Sequence, residues 1–185
     1  INFDFKSQKN QDRSLNSDIY IPYVFGSPLN LNYGLNLIQK DSTYTSNENL
    51  IDIDMIFRNI RAGLGFETNK STSEEEIENV ENFNSKLMNV FSEYVTLDDS
   101  DQLIPELFKI SLRYGSGLKD QLGNKTNFSK YSVELSRKFN LSTKFKLQSS
   151  ITRKKINSKD LVNNELLRFG GSNSIRGYDE NSIFA

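Results

Sequence analysis

Cysteine and histidine are both missing from this chain of 185 residues. Without them there are no disulfides, thiol nucleophiles, zinc fingers, or Ser-His and Cys-His catalytic arrangements. Cysteine-free chains occur in every compartment, so this absence gives no location. Proline is scarce, at 3 residues. No stretch approaches the ~18 consecutive apolar residues of a membrane-spanning helix. A surplus of one charge is lacking too. The 23 basic and 24 acidic residues nearly cancel, and nothing points to nucleic acid as a partner. The chain starts at Ile1 with no apolar leader, so any signal peptide is expected to lie outside it. Its length suits a single domain. Such a polar chain reads as soluble, with one exception. A transmembrane β-barrel alternates lipid-facing and lumen-facing residues and needs no apolar run. The 13 Phe and 8 Tyr, with abundant Asn and Ser, keep that class open.

Alternation with period two dominates, and helical periodicity is scarce. In residues 29–37, Leu29, Leu31, Tyr33, Leu35 and Leu37 oppose Asn30, Asn32, Gly34 and Asn36. Ile51, Ile53, Met55 and Phe57 oppose Asp52, Asp54 and Ile56, and Ile60, Ala62, Leu64 and Phe66 oppose Arg61, Gly63, Gly65 and Glu67. The same pattern covers 108–115, 131–136 and 141–151. Residues 84–95 read as a strand whose faces the pattern does not assign.

Connections are expected to alternate between tight and long. Tight turns are predicted after a strand at 17–24 and at 58–59 and 137–140. A moderate link is predicted at 97–106, and long polar loops at 39–49, 68–84 and 116–127 and after the last full strand. This asymmetry matches an up-and-down barrel with short periplasmic turns and long external loops. The expected fold is all-β, an antiparallel up-and-down transmembrane β-barrel. About eight full strands are expected, with partial ones at 2–6 and 180–185. A soluble β-sandwich also alternates, but has shorter strands and no rim asymmetry.

Few candidates for chemistry survive. Asp52 and Asp54 share a strand face and could be a carboxylate pair, but lumen-facing wall residues are the better reading. Asp98, Asp99 and Asp101 lack the glycine and distal Glu of a calcium loop. No metal and no cofactor is expected. Arg113, Lys109, Lys144 and Lys146 would give the barrel interior positive charge.

The terminal stretch 166–185, LLRFGGSNSIRGYDENSIFA, is different. Gly170, Gly171 and Gly177 permit close backbone approach, and Arg176 sits between Ile175 and Tyr178 on a hinged tip. An arginine presented this way can grip a carboxylate bidentately.

The Gly-Gly pair, the Ile-Arg-Gly-Tyr tetrad and the following Glu180-Asn181 closely resemble the signature of a known superfamily. These are the BamA/TamA-type outer-membrane assembly and translocation barrels (the bacterial surface antigen family), which include the two-partner secretion transporters. Upstream, residues 19–43 resemble the mid-barrel strand–turn–strand of TamA-like members, and 101–115 resemble the family's periplasmic turn and following strand. The resemblance implies a 16-stranded barrel in the bacterial outer membrane, with the tetrad in its sixth external loop. Residues 1–185 would then be a barrel fragment, approximately strands 3 to 12, without POTRA domains or terminal strands. It implies no enzymatic activity but the insertion or translocation of polypeptides. Expected partners are the lipid bilayer, unfolded outer-membrane or secreted clients, and accessory periplasmic or lipoprotein subunits. Loop 161–179 would enter the lumen, and Gly170, Gly171, Ile175, Arg176, Gly177 and Tyr178 would anchor it there. The leading expectation is an assembly factor of the BamA/TamA type. The alternatives are a two-partner secretion transporter for one dedicated client and a soluble β-rich binding module.

Overall fold

Each strand pairs antiparallel with its neighbours in sequence, giving one nine-stranded sheet in the order β1 to β9. The strands are β1 Asn2–Ser7, β2 Arg13–Ile21, β3 Leu29–Lys40, β4 Tyr44–Phe57, β5 Ile60–Thr72, β6 Phe83–Leu97, β7 Glu106–Gln121, β8 Asn124–Asn140 and β9 Lys146–Asn157. This computed structural model describes residues 1–7, 13–40, 43–73, 80–98, 105–142, 145–159 and 161–166, and the backbone alone at 168–169 and 183–184. There β10 Arg168–Phe169 pairs with β11 Ile183–Phe184. Among the described residues no helix is long and apolar enough to cross a membrane. This is the up-and-down antiparallel wall expected of a β-barrel, seen over nine strands.

The two faces differ in kind. On β4 the outward series Ile51, Ile53, Met55 and Phe57 is exposed, while the inward Asp52 and Asp54 are buried. On β5 the exposed Leu64 and Phe66 alternate with the buried Gly65 and Glu67. A soluble sandwich puts its apolar face inside. Here the apolar face is outside and the charged face is covered, as in a wall between lipid and a hydrated lumen.

The outer apolar belt does not follow the hydrogen-bonded rows. Ile51, Phe66 and Met88 lie opposite one another on β4, β5 and β6 and mark its upper edge there. On β3 the belt climbs past Tyr33, the partner of Ile51, to Leu37. On β9 it begins only at Ile151, whose partner is Leu135, well below Tyr131 on β8. A level belt crossing the rows obliquely is what tilted strands produce.

Several predicted boundaries are overturned. The stretches 39–49 and 116–127 are not long loops. β3 runs to Lys40 and β4 starts at Tyr44. β7 and β8 meet in a two-residue turn, Leu122–Gly123, with φ of 51° and 83°. Positive φ at both central residues gives the hairpin turn whose twist matches its flanking strands. The 68–84 stretch is shorter than expected too, since β5 reaches Thr72 and β6 starts at Phe83. The predicted turn at 137–140 is the end of β8, and the chain reverses at 141–145 instead. The strand expected at 17–24 ends at Ile21, and Tyr23 and Phe25 take left-handed backbone, φ 54° and 53°. The expected contrast between short and long rims fails as a result. One rim holds the connections 22–28, 58–59, 98–105 and 141–145, and the other holds 8–12, 41–43, 73–82 and 122–123. The reason is physical. Above the belt the strands are polar on both faces, a composition that in sequence matches a loop.

β6 has a mixed inner face, with Phe83, Leu87 and Phe91 between Ser85 and Asn89, all buried. This inward apolar content blurred its alternation.

The belt gives a direct test. In the full-length protein, Leu64→Arg at mid-belt is expected to lower unfolding free energy in vesicles by about 2–4 kcal/mol. Asn32→Ser on the inner face should change it by less than ~0.5 kcal/mol. Equal, small effects in urea titration would overturn the assignment of faces.

Candidate functional site

The inner face of β4–β8 carries six acidic residues (Glu48, Asp52, Asp54, Glu67, Glu93, Glu134) and six basic ones (Arg61, Lys109, Arg113, Lys119, Lys130, Lys138). All six cations are ion-paired. The positive interior expected from Arg113 and Lys109 is therefore neutralised where it stands.

Alternation sets this face, and packing sets the partners. Near the lower rim, Asp54 receives a hydrogen bond from Asn30 Nδ2 at 2.9 Å and one from Arg61 Nη2 at 2.6 Å. One turn of the pleat higher, Arg113 Nη1 and Nη2 donate to the two oxygens of Asp52 at 3.0 and 2.7 Å, a bidentate fork. The Arg113 guanidinium lies 4.3 Å from the centre of the Phe91 ring, and that of Arg61 lies 5.5 Å from the same ring. Higher still, Lys130 Nζ reaches Glu67 at 2.5 Å and Glu48 at 3.4 Å, and Asn36 also donates to Glu48. At the lower end Lys109 sits between Glu93 and Glu134, and Lys138 meets Asp98 at 2.8 Å.

These bonds run across strands, not along them. Asp52 is on β4 and Arg113 on β7, with β5 and β6 between. At ~4.8 Å per strand the arc is about 14 Å, and from Glu48 on β4 to Lys130 on β8 it is about 19 Å. A lysine and a glutamate cannot span the longer arc on a flat sheet, so the wall must curl inward there. Missing side chains clear the path. A Cβ on Gly65 would collide with Asp52 Oδ1, and one on Gly115 with Asn89 Oδ1.

A non-strand segment also lies on this face. Residues 161–166 include a 3-10 turn, Asn163–Glu165, in which Asn164 and Glu165 are buried, as is Val162 before it. Glu165 accepts from Lys119 at 2.9 Å, with both side chains almost fully covered. Asn164 Nδ2 donates to Ser71 Oγ and to the Glu81 carbonyl, both at 2.8 Å, and Gln121 Nε2 donates to the Glu81 carboxylate. The chain that leaves β9 therefore returns onto the inner wall at β5–β7. Just beyond, the β10–β11 pairing closes the base of the segment 170–182.

Asp52 and Asp54 are wall residues, as the alternation implied, and they hold arginines in place of a reacting group. Gly170, Gly171, Ile175, Arg176, Gly177 and Tyr178 lie outside the described residues. The sequence reading missed Glu48, Glu67, Lys119, Lys130 and Glu165 as partners. The first four hold the inward parity of their strands, but Glu48 and Lys119 fall in stretches whose polarity predicts loops. Among the described residues no cluster of three His, Cys, Asp or Glu could hold a metal ion. A hydrated inner wall that cancels its own charge, with a loop stem docked on it, suits a conduit.

A family model described as haemolysin secretion/activation protein ShlB/FhaC/HecB matches residues 58–185. The chain belongs to that family. ShlB/FhaC/HecB proteins are outer-membrane translocators that carry secreted polypeptides, a transporter class and not an enzyme class. The matched region includes β5–β9, the docked stem and the terminal motif. The superfamily is the one that the Ile-Arg-Gly-Tyr tetrad resembled, and the matched branch is the secretion transporters. No curated protein and no solved structure is matched by the chain. The outward apolar belt is what the outer-membrane setting of a ShlB/FhaC/HecB protein requires.

The cross-wall bond is testable by a double-mutant cycle in the full-length protein. Asp52→Ala is expected to cost about 1–3 kcal/mol, because it strips a mostly covered arginine of its anion. The coupling with Arg113→Ala should be about 0.5–3 kcal/mol. A coupling near zero in vesicle unfolding would show that the two do not bond across β5 and β6.

Proposed function

We propose that this protein is the outer-membrane pore of a two-partner secretion system and exports one dedicated polypeptide through its lumen. The family match over residues 58–185 carries this reading. The wall chemistry supports it. An unfolded client presents both signs of charge, and a wall whose cations on β4–β8 are all ion-paired grips neither strongly. Binding that is too tight would arrest transit.

The loop entered through Asn164 and Glu165 is the internal element of this pore, with Arg176 at its tip directed to the inner wall. The docked stem supports that role, because Lys119 and Ser71 already hold the loop's beginning against the lumen side. Ile175 and Tyr178 would pack beside Arg176, and Gly170, Gly171 and Gly177 would allow the fold-back.

Two experiments test this reading. In the bacterium that makes the protein, deleting the full-length gene is expected to remove a single polypeptide from the secreted fraction. Other outer-membrane barrels should keep their abundance in quantitative proteomics. A general fall in barrels would instead favour an assembly factor of the BamA/TamA type. A chain that stays monomeric in buffer without detergent would favour a soluble β-rich module. Separately, Arg176→Ala in the full-length protein should reduce export several-fold while heat-modifiable gel mobility persists. Wild-type export by this variant would remove the role given to Arg176.

A further inference from the structure

Outward-facing cations above the belt differ from the inward ones of β4–β8, although Lys154, inward on β9, also forms no ion pair among the described residues. Above the apolar belt, Lys70, Lys86, Lys125, Arg153 and Lys155 all point outward and are exposed. Among the described residues none of the five forms an ion pair, whereas all six cations on the inner face of β4–β8 do. The single outward carboxylate at this height on β4–β9, Asp120, is engaged at the hairpin turn, where it accepts from the Gly123 amide at 3.1 Å. Asp120 lies opposite Lys125 and in the same cross-strand row as Lys70, so among the described residues the collar sets five cations against one carboxylate and is net positive.

Its placement narrows the partner. Lys86 lies opposite Thr68, and Lys70 opposite Asn84, so the two lysines are diagonal neighbours, about 7–8 Å apart along the sheet. Met88 of the belt lies directly below Lys86, and Phe66 lies below Lys70 with Thr68 between. On β9, Arg153 and Lys155 follow Ile151 upward, and the Arg153 guanidinium lies 6.0 Å from the ring centre of Tyr131. Like charges gathered at the upper edge of a lipid-facing surface repel one another unless anions sit between them. Long basic side chains at such an edge reach up from the hydrocarbon to the head-group layer. The collar lies on the rim that also carries the segment after β9, the rim that faces outward if the chain works as proposed above.

We infer that Lys70, Lys86, Lys125, Arg153 and Lys155 form a docking collar for the phosphates of a phosphorylated glycolipid in the outer leaflet. Spaced ammonium and guanidinium groups suit a head group that carries more than one phosphate, and the belt beneath accepts its acyl chains. This inference rests on the outer-membrane reading, and its test separates the two.

The full-length protein would be refolded into phosphatidylcholine vesicles, where heat-modifiable mobility reports barrel insertion without any glycolipid. Failure of the wild type at that step would strike the barrel reading, and the collar with it. Inserted protein would then be titrated in detergent with fluorescent diphosphoryl lipid A. The expected result is retention about tenfold stronger than for dephosphorylated lipid A, weakening as salt rises. Changing all five residues to Gln should abolish the preference while insertion persists. If the fivefold variant does not insert, the pair Lys70→Gln and Lys86→Gln should reduce the preference severalfold. Equal retention of the two lipids, or a preference unchanged by the substitutions, would overturn the collar. Equally effective displacement by phosphatidylglycerol would overturn the assignment to a glycolipid.

Discussion

The unbroken antiparallel ladder from β1 to β9 is what the remaining features depend on. Inside a bilayer each backbone N–H and C=O must find a partner within the protein, so every strand needs a neighbour on both sides. Pairing fixes the pleat, and the pleat sends successive side chains to opposite faces. Once Ile51 and Ile53 face lipid, Asp52 has no choice but to face inward, and so does Asp54. The charged lining is thus a by-product of the same alternation that makes the belt.

A lining made this way must manage its charge. A carboxylate covered as completely as Asp52 or Asp54 is costly unless paired. The wall answers with partners drawn from distant strands. Arg113 crosses two strands to reach Asp52, and Lys130 crosses three to reach Glu48. Gly65 and Gly115 keep the surface between them low. Pairs of this length act as chords on the curled sheet, fixing how far β4 can stand from β7 and β8. Buried ion pairs are weak evidence of net stability, while breaking one by removing a single partner is costly. The same holds for Lys119 and Glu165, which join the loop stem to the wall.

Much of this was legible from residue order alone. The faces of β3, β4 and β5 follow directly from the alternation of Leu with Asn, Ile with Asp, and aliphatic residues with glycine. Strand lengths were not legible. Above the belt a strand meets water on both sides, so Thr45, Asn47 and Asn49 look no different from a loop. Lys138 between Arg137 and Phe139 read as a turn because a lone inward lysine has no visible partner in the sequence. Its partner, Asp98, is 40 positions away. Cross-wall pairs are invisible for the same reason, since the strands between them hold no hint of which carboxylate a given arginine will find. The family was legible because its signature is local, a few residues long and built on glycine geometry.

The equal count of acids and bases on the inner face of β4–β8 has an effect on traffic. Fixed charges that are nearly all matched by nearby counterions leave a weak far field, so a moving segment is little drawn in or repelled at a distance by its own net charge. Such a lining passes acidic and basic stretches at similar cost. Charge sign on this stretch of wall is therefore a poor basis for telling one polypeptide from another.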